Sequence, residues 1–441
     1  MHAGGAGLVT WAVIFAVIAG FYIATFSFRR ISDTDLNSYQ TRALALHGDI
    51  DLARFGDNIP RLSYTVRHQG SRYSIYGIGV SISAIPIYAV AARLGASDRA
   101  LQAAAAIPFV AAAVVILLLL FLRLFPRVVA VGGTIIYAFG TTMWPVASMA
   151  FFQNGPVALY QTIGLTGLFG SGRRAPALAG FGFGAAALIR PTLFVPLAFA
   201  GILYLLESRR SVVLYAASAL PSILIVLVQN RWIWGRWLRG GYGELDVGYH
   251  ASVPSALWGL LLGWYRGMFA YSPVLIVSVF GAVIALRRVK EPFERRLLVL
   301  AVSSVVLVLV YSRFTTWFGG QNQFGYRYLL DIVPFLIILG AYGVVHSARL
   351  RTLAVGLGAV SLMAMTFGAA PSQNGFDGPV FPRGFSASSL GQAWIVFVDH
   401  PLVSIVRLLV IGLIAAGIYR WTSREPLASS ARIDATSREA G

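Results

Sequence analysis

Two carboxylates, Asp33 and Asp35, stand where the first membrane-length apolar run gives way to a polar loop, residues 29–74, that opens Arg29-Arg30-Ile31-Ser32-Asp33-Thr34-Asp35. Carboxylates at the junction of lipid and water are costly to desolvate. A carboxylate so placed can act as general base on an acceptor hydroxyl or amine. On a helix, residues two apart point to different faces, so one could face a cavity while the other orients it. The plain alternative is a capping or solvated loop pair. A second block, residues 311–331, holds Arg327 between Tyr326 and Tyr328, with Asp331 one turn on. An Arg at membrane depth needs an anionic partner. Asp331 at i+4 would serve, and so would a lipid phosphate, which guanidinium binds through two parallel hydrogen bonds.

Other segments combine cations with aromatic or amide side chains. Arg190 precedes Pro191, which biases it toward a turn. Arg266 lies in Trp264-Tyr265-Arg266-Gly267-Met268-Phe269-Ala270-Tyr271-Ser272-Pro273, where Tyr271 and its neighbours also suit an interfacial aromatic belt. From Arg61 to Tyr76, basic and aromatic residues alternate, a pattern suited to a phosphate-bearing lipid. His68 within it is read as a base or as a solvated side chain. Gln153-Asn154 could hydrogen-bond a sugar or cap the helix opening at Gly155-Pro156. The chain has no Cys, and no third ligand accompanies Asp33 and Asp35, so no metal site is assigned and only a loosely held divalent cation stays open. Gly180-x-Gly182-x-Gly184 sits in an apolar run with no preceding strand, so it reads as helix-packing sequence and not as a dinucleotide loop.

The elements that must position these residues are membrane spans. Of 441 residues, 57% are hydrophobic and only 12% charged, against about 25% charged in soluble domains. Residues 8–28, 101–122, 128–149, 211–229, 297–312, 329–346, 352–370 and 401–419 each approach the length that crosses a bilayer, the first as a retained anchor. The expected fold is an all-α polytopic membrane protein of about 12 transmembrane helices. The net charge of +18 would suggest nucleic acid in a soluble protein. Here Arg occupies short loops, where it sets topology and meets anionic lipid, so nucleic acid is discounted as a partner. With the basic loops near residues 123–127, 173–174, 209–210, 287–296, 346–351 and 420–424 in the cytoplasm, alternation holds from residue 101 onward. Segments 230–269, 313–328 and 371–400 then lie outside, and two short spans, 176–189 and 192–206, meet at Arg190-Pro191. Residues 75–92 decide the side of the first loop. If they span, the loop is cytoplasmic, as its seven Arg residues favour. If they re-enter or lie along the membrane, as Gly77, Gly79 and Pro86 suggest, it is outside and extends over 29–100. Residues 1–424 are expected to form one domain, and 425–441 a disordered cytoplasmic tail.

In order and spacing, these blocks resemble the GT-C superfamily of membrane glycosyltransferases over roughly residues 8–420. The chain is most similar to the bacterial branch that includes protein O-mannosyltransferase-like proteins and lipid A aminoarabinose transferases. The blocks include Ser32-Asp33-Thr34-Asp35 with Tyr39 and Ala43 to Asp49, Ser74 to Gly79 leading to Pro86, and Tyr137 to Thr141. They continue with Leu188 to Thr192, Arg266 to Pro273, and Phe318-Gly319-Gly320 through Arg327 to Asp331. The resemblance implies a bacterial plasma-membrane enzyme with an interfacial or re-entrant first outer loop carrying a catalytic carboxylate. It implies inverting transfer on the outer face from a polyprenyl-phosphate sugar. Two positions depart from the pattern: Gln153-Asn154, where many relatives carry His or an acid, and Tyr326, where many carry Pro.

The expected function is a hexosyl- or pentosyltransferase of the cell envelope. Asp33 or Asp35 takes the acceptor proton. Arg327, with Arg190, Arg61 and Arg266, holds the donor phosphate. Tyr39, Tyr76, His68, Asn154, Tyr271, Tyr326 and Asp331 line the substrate. The acceptor is a lipid, a polysaccharide or a protein, membrane lipids surround the chain, and no cofactor beyond a possible divalent cation is expected. A flippase for lipid-linked sugars and a non-catalytic assembly subunit are the alternatives.

Overall fold

The computed structural model describes residues 5–27, 32–58, 64–241, 251–319, 324–369, 388–399 and 401–424. Arg29, Arg30, Arg61, residues 320–323, most of the proposed outer loop 371–400 and the tail 425–441 lie outside them. Strand is confined, among the described residues, to one two-stranded hairpin. Most of the other described residues are helical.

The chain begins with α1 (Gly5–Ala24) and a polar helix α2 (Ser32–His47). A 3-10 turn (Leu52–Asn58) then leads into the hairpin of β1 (Thr65–His68) and β2 (Ser71–Ser74). The hairpin closes through Gln69 and Gly70, both at positive φ, which is the backbone a two-residue turn between twisted strands requires. Asp51 ties it down, its Oδ1 accepting from the backbone N–H of Arg72 (2.9 Å) and Ala53 (2.8 Å). Next come α3 (Gly79–Arg93), α4 (Asp98–Leu124), α5 (Arg127–Phe139), α6 (Asn154–Leu168), α7 (Ala175–Ile189), α8 (Phe194–Glu207) and α9 (Arg209–Trp234). The second half comprises α10 (Val253–Leu261), α11 (Met268–Tyr271), α12 (Val277–Arg287), α13 (Pro292–Arg313), α14 (Val333–His346), α15 (Ala348–Gly368), α16 (Ser389–Asp399) and α17 (Pro401–Arg424).

Among the described residues, six stretches are long and apolar enough to cross a membrane: 7–24, 98–124, 209–234, 328–346, 348–368 and 401–423. Shorter apolar helices, among them α5, α7 and α8, complete a multi-pass bundle. Serine caps start three helices: Ser97 accepts from Ala100 N, Ser208 from Ser211 N and Ser347 from Leu350 N. The run 128–149 does not continue as one helix. It stops at Phe139, and residues 143–147 form a π turn around Pro145, whose ring and missing N–H disrupt a regular helix. The glycine triplet packs helices, as read from sequence. A Cβ at Gly182 would stand 2.2 Å from Gly164 N of α6, and one at Gly180 would stand 2.1 Å from Tyr215 O of α9. Only hydrogen lets α7 lie this close to both neighbours.

The course of residues 75–92 follows from what α3 touches. It packs along α2, with Thr41 bonded to Ser81 (3.2 Å) and Tyr88 to Ser38 (2.9 Å). Five residues after α3 ends, α4 starts beside the same helix, where Asp98 reaches Arg42 (4.0 Å) and Gln102 donates to Asp35 (3.0 Å). A crossing segment would have delivered α4 to the opposite end of the bundle. Helices α2 and α3 therefore form a layer across one end of the bundle, the interfacial arrangement expected of the first loop. The inner side of α2 is polar yet buried: Thr34, Asn37, Gln40 and Thr41 are at most 1% exposed.

Candidate active site at the end of the bundle

Asp33 sits in the first turn of α2, where a carboxylate also complements the helix N-terminus. Its Oδ2 is ion-paired with the Arg327 guanidinium, contributed by a segment 294 residues later. Its Oδ1 accepts from the Tyr76 hydroxyl at 2.6 Å. Burial pushes the Asp33 carboxyl up. Arg327 and Tyr76, with Arg190 adding, outweigh this and hold it below the ordinary carboxylate range. Asp35, two residues on, faces the other way and bonds Gln102 of α4, as helical spacing requires.

Arg327 is built in from several sides. It stacks over the Phe152 ring, 4.3 Å to the centroid, and donates to Gly319 O at 3.4 Å. Arg266, 1% exposed, donates to the adjoining carbonyl, Phe318 O, at 3.0 Å and lies over the Tyr265 ring at 4.2 Å. The two guanidiniums thus hold consecutive carbonyls of one loop, and Gly319 accommodates this with a φ of 77°.

Arg190 comes from the α7–α8 turn, where residues 191–193 make a single 3-10 turn begun by Pro191. It donates to Asp331 at 2.9 Å and lies over the rings of Tyr311 (5.6 Å) and Tyr328 (5.3 Å). Asp331 also accepts from the Tyr311 hydroxyl, which meets Thr192 at 2.8 Å. Asn154, at the start of α6, spans both pairs, donating to Asp331 Oδ1 (3.3 Å) and to Arg327 O (3.2 Å). Asp331 is thus not the partner of Arg327 that the i+4 spacing suggested. Residues 328–332 form a 3-10 turn, in which positions three apart eclipse, so Arg327 and Asp331 diverge and each finds a partner distant in sequence.

Three other predicted residues brace this end. Tyr271 donates to Trp264 O and Tyr265 O, both at 3.0 Å, and Tyr326 meets Ser272 Oγ at 2.6 Å. Tyr39 packs against Phe55 at 5.0 Å in the small cluster of Leu36, Leu52, Ile75 and Tyr76. His68 stands at the hairpin turn and, among the described residues, shares no hydrogen bond or ion pair with the Asp33–Arg327 pair. The sequence assigns no site role to Gln102, Thr192 or Tyr311, although the last two fall within the blocks named above. Each is an ordinary helix or turn residue whose role comes from a partner far along the chain. No group of three or more potential metal ligands occurs among the described residues.

No protein-family model matches the chain, and no curated protein matches it in sequence. In architecture it is similar to the crystal structure of ArnT from Cupriavidus metallidurans bound to undecaprenyl phosphate, with a TM-score of 0.53 at 14% identity over 95% of this chain and 76% of that one. The apo oligosaccharyltransferase of Archaeoglobus fulgidus gives 0.44 at 13% identity, over 93% of this chain and 56% of that one. The first of these likenesses shows a shared fold, an all-α multi-pass membrane architecture of the kind the resemblance implies.

Proposed function

We propose that this chain is a membrane glycosyltransferase that transfers a sugar from a polyprenyl-phosphate carrier to an acceptor on the outer face of the membrane. The reading is carried by one arrangement. A carboxylate and a guanidinium 294 residues apart in sequence, Asp33 and Arg327, meet beneath the α2–α3 layer, with Arg190 within electrostatic reach of both. Glycosyl transfer from a lipid phosphate needs a base for the acceptor proton and fixed positive charge for the leaving phosphate, both at the depth of the lipid head groups.

In this mechanism the donor phosphate binds Arg327 and Arg190 and takes over the Arg327 contact from Asp33. The released carboxylate removes the proton of the acceptor hydroxyl or amine. The acceptor's electron pair forms the new bond to the sugar's anomeric carbon. The bond from that carbon to the phosphate oxygen breaks, and its electron pair leaves with the polyprenyl phosphate. The anomeric carbon passes through an oxocarbenium-like state, while preorganised guanidinium donors stabilise the charge growing on the leaving group. Asp35, turned toward α4, orients α2 instead of touching substrate. Arg266 holds the loop that carries Arg327.

The test is transfer of labelled sugar from a polyprenyl-phosphate donor by the purified chain in lipid. Substrate-dependent release of polyprenyl phosphate is expected, together with loss of transfer in Asp33→Asn and in Arg327→Gln. Donor movement between leaflets without any acceptor and without sugar release would replace this reading with that of a flippase.

A further inference from the structure

Four buried polar atoms with no hydrogen-bond partner among the described residues belong to one neighbourhood: Asn37 Oδ1, Gln153 Nε2, Asn154 Oδ1 and Arg327 Nε. Their residues are each 5% exposed or less. Interiors leave few such atoms, because each costs about 1–3 kcal/mol when unsatisfied. All four side chains grip or form the turn at residues 151–154. Asn37 donates to Phe151 O at 3.1 Å, the Phe152 ring lies beneath Arg327, Gln153 follows, and Asn154 donates to Arg327 O at 3.2 Å.

The chemistry of the set is specific. Two of the atoms are donors and two are acceptors. A sugar hydroxyl both donates and accepts, so a polyhydroxylated ring answers a mixed set. Neither nearby carboxylate is available to a ring ammonium: in the donor complex Asp33 stays bonded to Tyr76 and serves the acceptor as its base, and Asp331 stays with Arg190, Tyr311 and Asn154. A ligand ammonium would meet guanidinium charge here and gain only amide oxygens. We propose that the turn at 151–154, with Asn37 and Arg327, is the subsite for the donor's glycosyl ring, and that it takes a neutral, hydroxyl-bearing sugar in preference to one carrying an ammonium group. This rests on the donor reading above.

The test is binding of three probes to the full chain in nanodiscs: a bare polyprenyl phosphate, the same carrier bearing a neutral hexose, and the same carrier bearing an amino sugar. The hexose carrier is expected to bind at least about tenfold more tightly than the amino-sugar carrier, and Gln153→Leu to weaken the hexose carrier about tenfold while sparing the bare carrier. Gln153→Glu keeps the side-chain shape and adds negative charge. It should move the preference about tenfold toward the amino sugar, and it decides the matter if the Leu variant does not fold. Equal affinity of the wild type for the two sugar carriers, or a preference that Gln153→Glu leaves unmoved, overturns the subsite and leaves ordered water as the partner of these atoms. If no carrier binds the wild type, the donor reading fails and the subsite with it.

Discussion

A carboxylate held between a guanidinium and a phenol is a stable ion but a weak base, and Asp33 is in that position. Its folded value lies below the ordinary carboxylate range, which is about 4. The pairing therefore stabilises the fold at every pH above that range, and its contribution is lost only as pH falls through the lower folded value. For catalysis the expected sign is also definite. In kcat/KM, which reports the free enzyme, no acid limb due to Asp33 should appear between about pH 5 and 8. When donor phosphate displaces Asp33 from Arg327, the carboxyl loses its counter-ion and gains an anionic neighbour, so the acid limb of kcat should lie at higher pH than that of kcat/KM. Paired pH–rate profiles check this, and coincident limbs would rule out the exchange. Asp33→Asn should reduce transfer at least about 100-fold with membrane expression intact. Asp35→Asn, still able to bond Gln102, should retain most activity. Arg190 and Asp331 give a different signature, because their side chains are 9% and 0% exposed. Arg190→Ala strands a buried carboxylate and should cost about 3–5 kcal/mol. Adding Asp331→Asn should recover much of that stability but none of the activity, as read by thermal melting beside the transfer assay.

The layer of α2 and α3 is what turns separate residues into a site, and its seating is tight at one point. A Cβ at Gly79 would lie 2.8 Å from the Leu188 carbonyl and 2.9 Å from the Ile189 side chain, in the turn that carries Arg190. Gly79→Ala must push α3 off this turn, at about 1–3 kcal/mol. Because Tyr76 precedes α3, the variant should also loosen the bond to Asp33. A lowered melting temperature together with a raised donor KM is the expected result, whereas a change in melting temperature alone would separate the seating of α3 from the site. Much of this element scale is legible in sequence. The long apolar runs read as helices, the glycine triplet reads as packing, Arg190-Pro191 reads as a turn, and Asp33 and Asp35 read as facing apart. What is not legible is pairing across the chain. Asp331 is the nearest acid to Arg327 in sequence, and only the 3-10 turn at 328–332, together with the approach of α2 and α7, gives these residues their true partners. Gln102 and Tyr311 escape for the same reason, since nothing local in a helix signals a hydrogen bond to a residue on another element.

At the scale of the whole molecule, two rules compete over the first loop. Counting positive charge assigns its seven Arg residues to the cytoplasm. Three-dimensional contact joins it to residues 151 and 327, with Arg190 within electrostatic reach, all of which the alternation of basic loops assigns to the opposite side. The positive-inside rule weighs short loops that follow a span directly and whose charges are free to choose a side. In this loop Arg54 is ion-paired with Asp49, Arg42 reaches Asp98, and Arg72 is built into the hairpin. The rule is a statistical bias, whereas the contacts of Asn37 and Asp33 are part of the folded structure, so the contacts should prevail and the loop should be external. The chain has no Cys, so single cysteines report cleanly. Arg67→Cys on the exposed side of the hairpin should react with a membrane-impermeant maleimide in intact cells. Arg210→Cys, exposed in the first turn of α9, should react only after the membrane is opened. The reverse pattern would place Asp33 and Arg327 in the cytoplasm, where an outer-face transferase has no use for them.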